Sequence, residues 1–145
     1  MRILLRPLFL GAFAASALLP VAATANAQTA ADFQDTRVEV APGCAGTVRT
    51  GVAVTPLPSN VSGVGVAVLF RADRQDPACA VTATVSWRNL DTGATGSEDV
   101  TVSSVPVSIG PFPTDNGFSR ALADTGPGRV IVTISTNPGE ISVTV

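Results

Sequence analysis

The sequence predicts an all-β fold, an antiparallel β-sandwich of seven to eight short strands with one disulfide. Three observations carry that expectation. Val, Thr, Ser, Gly and Pro dominate the chain after residue 36, and no window there shows sustained i, i+3, i+4, i+7 apolar spacing. Several runs alternate apolar and polar residues with period two, the signature of half-buried strands. Two cysteines, Cys44 and Cys79, stand in a chain that also carries an export signal.

Met1–Ala27 reads as a signal peptide and is set apart from the fold. Arg2 and Arg6 form the positive n-region, and the apolar run from Pro7 to Leu19 is short for a membrane span. Pro20 ends that run. Ala25-Asn26-Ala27 fits the small-x-small cleavage rule, which places cleavage before Gln28. The remaining 118 of 145 residues keep seven arginines against eleven acids, a net charge near −4. They are expected to be secreted and to have no membrane span. The chain has no lysine, and this all-arginine usage implies a GC-rich genome such as that of an actinobacterium.

Residues 28–36 are polar and without periodicity, and are expected as a flexible lead-in. The sandwich domain is expected over residues 37–145. Val48, Thr50, Val52 and Val54 share one face of the first long strand, with Thr47, Arg49 and Thr55 opposite. Val64, Val66, Val68 and Phe70 form the next inward row, and Cys79, Val81, Ala83, Val85 and Trp87 a third. Val100 and Val102 follow, then Val105, Val107 and Ile109 with changed parity. A bulge or corner at Ser103-Ser104 would produce that change. Pro106 lacks an N–H and so places its segment at a sheet edge. Val130, Val132 and Ile134 mark another strand, and Ile141, Val143 and Val145 the last. Asn137-Pro138-Gly139 suits a type II turn and predicts a hairpin between these two. The core is expected to hold Trp87, Phe70 and Phe118.

A disulfide between Cys44 and Cys79 closes a loop of about 35 residues, worth roughly 3–4 kcal/mol by chain entropy. A reactive thiol would need a His or Lys neighbour, and the chain has neither.

Asp124-Thr125-Gly126-Pro127-Gly128-Arg129-Val130 resembles the Asp-x-Gly-x-Tyr-x-Cys corner of immunoglobulin domains. Asp124 and Gly126 match. Gly128 stands in the tyrosine position and Val130 in the cysteine position. Trp87 follows both cysteines instead of lying between them. The resemblance therefore implies an immunoglobulin-like architecture and no particular activity.

The composition excludes several chemistries. Without His there is no Ser-His-Asp triad and the commonest general base is missing, and without Lys there is no Schiff base. The acidic balance argues against nucleic acid. Leu90-Asp91-Thr92-Gly93-Ala94 and Leu122-Ala123-Asp124-Thr125-Gly126 both resemble the Asp-Thr-Gly signature of aspartic proteases, in which two carboxylates share one proton. The two copies lie too close in sequence for a two-lobed enzyme, and Asp-Thr-Gly is also ordinary turn chemistry. Asp73 with Asp76, and Glu98 with Asp99, could contribute to calcium binding but match no calcium-loop spacing. Asp73 and Asp76 alternate with Arg71 and Arg74, which predicts surface ion pairs. Pro111-Phe112-Pro113 presents an aromatic ring on a stiff segment and is the candidate binding surface.

The expected function is non-enzymatic binding at or outside the cell surface. The partner would be an extracellular protein, an envelope polymer or a small ligand. No catalytic residue, metal or cofactor is assigned. The alternatives are an assembly module of an exported complex and, remotely, an acid hydrolase using Asp91 and Asp124.

Overall fold

The computed structural model describes residues 28–113 and 116–145, so Met1–Ala27, expected as a signal peptide, lies outside the described residues. The strands are β1 (Ala30–Asp32), β2 (Thr36–Ala41), β3 (Cys44–Pro56), β4 (Ser62–Ala72), β5 (Ala80–Asn89), β6 (Thr95–Ser103), β7 (Ser108–Ile109), β8 (Phe112–Pro113), β9 (Gly117–Ala123), β10 (Arg129–Ile134) and β11 (Asn137–Thr144). Nine of these build two antiparallel sheets, and β7 with β8 forms a separate two-residue hairpin. Among the described residues no helix is long and apolar enough to cross a membrane.

In the first sheet β3 and β4 pair along most of their length, β9 pairs with the far side of β4, and β1 and β2 share the outer side of β3. The second sheet runs β11-β10-β5-β6. The chain passes from the first sheet to the second between β4 and β5, returns between β6 and β9, and passes over again between β9 and β10. β9 pairs with β4 and β10 with β5, so the two crossings interlock.

Alternation decides which side chains turn inward. Val48, Thr50 and Val52 on β3 are buried, as are Val64, Val66, Val68 and Phe70 on β4. They meet Val81, Ala83, Val85, Val100, Val102, Val130, Val132, Ile141 and Val143 from the second sheet in one apolar core. Branched residues suit this packing because their restricted side chains stand off the pleat with little entropy to lose. The Cys44–Cys79 disulfide joins the start of β3 to the residue before β5, with a Cα separation of 5.3 Å.

Five expectations are corrected. Residues 28–36 carry β1, and Phe33 is buried, with its N–H donating to the Thr50 carbonyl at 2.9 Å. A strand with only Ala30, Ala31 and Asp32 offers no alternation to read; backbone pairing to β3 holds it. Phe118 is not a core residue. It pairs with Leu69, which faces outward on β4, so it shares the outer face. The segment from Val105 to Ile109 joins neither main sheet: the chain leaves the second sheet after Ser103, Val105 and Val107 are exposed, and Ser108–Ile109 pairs with β8. The final hairpin turns at Ser135-Thr136, because Ile134 pairs with Asn137. Pro138 and Gly139 lie within β11 at a register shift, where Gly139 takes φ +93°. Lastly, Asp73 pairs with Arg37 of β2 instead of Arg71 or Arg74. Asp76 accepts the Ala78 N–H at 2.9 Å as a local turn acceptor.

Candidate functional site

The outer face of the first sheet is built by the odd-numbered residues of β3 and β4. Thr47 pairs with Arg71, Arg49 with Leu69, and Gly51 with Ala67. Cross-strand partners share a face, so five side chains and the bare Gly51 backbone form one surface. Its upper part is a groove of about 320 Å³ lined by Asp35, Thr47, Arg49, Leu69, Arg71 and Asn116. A shallower trough of about 300 Å³ continues below it, over Gly51, Ala53, Gly65 and Ala67, with Asp32, Phe118 and Arg120 at its sides.

Two guanidinium groups of the groove are placed differently. Arg49 forks onto Asp35, with Nε and Nη2 donating to its two carboxylate oxygens at 3.1 and 3.0 Å. That hydrogen-bonded fork holds the Asp35 carboxyl below the usual carboxylate range and raises Arg49. Arg71 is exposed and makes no hydrogen bond or ion pair among the described residues. Its neighbour on the same face is Leu69. The groove thus sets an unpaired donor fork beside apolar surface.

Glycine makes the trough possible. Asp32 lies over Gly51, and the Arg120 guanidinium lies over Gly65 where a Cβ would collide with it. Arg120 then reaches Thr55 Oγ1 at 2.9 Å.

The groove adjoins the β7–β8 hairpin at its neck. The Val107 N–H donates to the Asn116 carbonyl at 3.4 Å, closing a loop whose turn is Gly110-Pro111. Ser104 anchors the loop's base: its N–H reaches the Cys79 carbonyl at 2.8 Å, and its hydroxyl the Asp76 carbonyl at 2.7 Å. Of the expected binding surface, Pro111 is exposed. The side chains of Phe112 and Pro113 lie outside the described residues.

The two Asp-Thr-Gly segments meet at one end of the sandwich. Asn89, fully buried at the end of β5, ties them together. Its Nδ2 donates to the carbonyls of Thr125 and Pro127, both at 2.9 Å, and its Oδ1 accepts the N–H groups of Asp91 and Thr92. A Cβ added at Gly128 would meet Asp91 and Asn89. The exposed carboxylates serve turns: Asp91 accepts the Arg129 N–H at 3.0 Å, and Asp124 the Gly126 N–H at 3.3 Å. Of the acidic pairs, Asp99 accepts the Thr84 hydroxyl at 2.7 Å. Among the described residues no three His, Cys, Asp or Glu side chains cluster as metal ligands would.

Between the sheets, the opening beside Val66, Trp87 and Val132 is about 10 Å³, room for about one water. The groove residues were missed from sequence because Arg49 and Arg71 read as ordinary outward residues. Their pairing across strands was the available signal. Comparison with protein-family models, curated proteins and solved structures finds no match to this chain.

Proposed function

We propose that this is a secreted, non-enzymatic binding domain that takes an extended, anionic partner along the outer face of its first sheet. The observation that carries the reading is Arg71: an exposed guanidinium without a partner among the described residues, beside Leu69, in a groove of about 320 Å³ on that face. A guanidinium fork suits a carboxylate because two N–H bonds run parallel to its two oxygens. Leu69 and Phe118 add apolar contact along the same line. Asn116, which lines the groove, closes the neck of the loop that carries Pro111. An envelope polymer or an acidic peptide fits such an open surface. The opening between the sheets beside Val66, Trp87 and Val132, about 10 Å³, is too small for a small apolar ligand. The interlocked strand order supports an immunoglobulin-like reading of the sandwich, a fold that carries function on its faces and loops.

Affinity for a labelled oligoglutamate tests this. Arg71→Glu is expected to weaken binding about tenfold to a hundredfold, the scale of one charged hydrogen-bonding group. Arg88→Glu, on the other sheet, is expected to leave it unchanged. Equal effects from both variants would reduce the interaction to net charge and overturn the assignment.

A further inference from the structure

We propose that the mature protein carries a pyroglutamate at residue 28, formed by cyclisation of Gln28. The inference rests on the export reading, which places cleavage after Ala27. Cleavage there frees the α-amine of a glutamine. That amine can attack the side-chain Cδ: a C–N bond forms, the Cδ–Nε2 bond breaks, and Nε2 leaves as ammonia with the displaced proton. No oxidant, reductant or co-reactant is required.

The fold is built to keep this terminus and tolerate the ring. Gln28 is exposed, so nothing encloses its side chain. Its carbonyl accepts the Thr144 N–H at 3.0 Å, and the next carbonyl, that of Thr29, accepts the Val54 N–H at 2.8 Å. The first residue thus reaches β11 of the second sheet, and the second reaches β3 of the first. Both contacts use backbone carbonyls, which cyclisation leaves in place. Among the described residues, the only bond lost is the exposed Nε2 contact to the Ala30 carbonyl at 3.3 Å. A surface bond of that length contributes little. The ring removes a charged ammonium and leaves a blocked end lying along the sandwich edge, so an aminopeptidase would find no free amine and no loose tail.

Intact mass of the protein exported by its own organism, read with and without pyroglutamyl aminopeptidase, tests the inference. The expected mass is that of residues 28–145, disulfide-bonded, less one ammonia. The enzyme should then expose Thr29 to stepwise degradation. The full mass of residues 28–145 with a free amine would overturn the cyclisation while leaving the export reading intact. A different first residue would overturn both.

Discussion

Thr50 on β3 donates its hydroxyl to Asn137 on β11 at 3.0 Å, a bond between the two sheets inside the core. Asn137 is 3% exposed, and all its polar capacity is used. Its Oδ1 also accepts from Thr136, and its Nδ2 donates to the carbonyls of Gln34 and Val48 at 2.9 and 3.1 Å. Removing it leaves the buried Thr50 hydroxyl and the Val48 carbonyl without this partner. Asn137→Ala is expected to lower stability by about 3 kcal/mol, and Thr50→Val by about 1 kcal/mol, since Asn137 keeps its other partners. Urea unfolding of both variants gives the comparison. Equal losses would show that the Asn137 network is not the main tie.

Asn89 plays the corresponding part at the far end. Asn89→Ala would leave two carbonyls and two N–H groups without their partner, at a cost of about 2–4 kcal/mol. Hydrogen exchange should accelerate together in residues 90–94 and 124–128. Acceleration in only one loop would contradict the joint anchoring.

The edge strands β6 and β9 approach each other closely at Gly117. A Cβ there would overlap the Ser103 carbonyl oxygen and crowd Val102. Gly117→Ala is therefore expected to cost about 3 kcal/mol, at the upper end of overpacking effects. A melting temperature within a degree or so of the parent's would show that the two strands can separate freely.

Acid should weaken the fold late. Asp35 and Asp73 are held below the usual carboxylate range chiefly by hydrogen bonds from Arg49 and Arg37. A lowered carboxyl stabilises fully above its unfolded pKa, about 3.9, and loses that contribution as pH falls through the folded value. Both pairs are exposed, so their contribution is small and screened by salt. With no histidine in the chain, the urea midpoint should stay level from about pH 8 to 5 and fall below about pH 4. The double variant Arg37→Gln/Arg49→Gln should show a smaller acid decline. A decline beginning above pH 5 would contradict this assignment.

The inward rows of β3, β4 and β5 were legible because Val alternates with small or polar residues, and the disulfide because no other cysteine competes. β9 was not. Its inward positions are Ser119, Ala121 and Ala123, while Phe118 and Leu122 face outward, so hydrophobicity points the wrong way. That pattern makes Phe118 look like a core residue. Pro-Gly chemistry suits a bulge as well as a turn, so Pro138-Gly139 alone does not locate the hairpin. The groove joins β3, β4 and Asn116, positions far apart in sequence. Only the register, which places Leu69 opposite both Arg49 and Phe118, assembles them.

The proposed binding surface is the outer face of the first sheet. Mapping amide chemical shifts of the isotopically labelled protein during titration with oligoglutamate tests this. Shifts should concentrate at Thr47, Arg49, Leu69, Arg71 and Asn116 and leave Thr82, Thr84 and Thr101 of the second sheet unmoved. Shifts confined to the second sheet or to the Asp91 and Asp124 loops, or no shifts at all, would contradict the account.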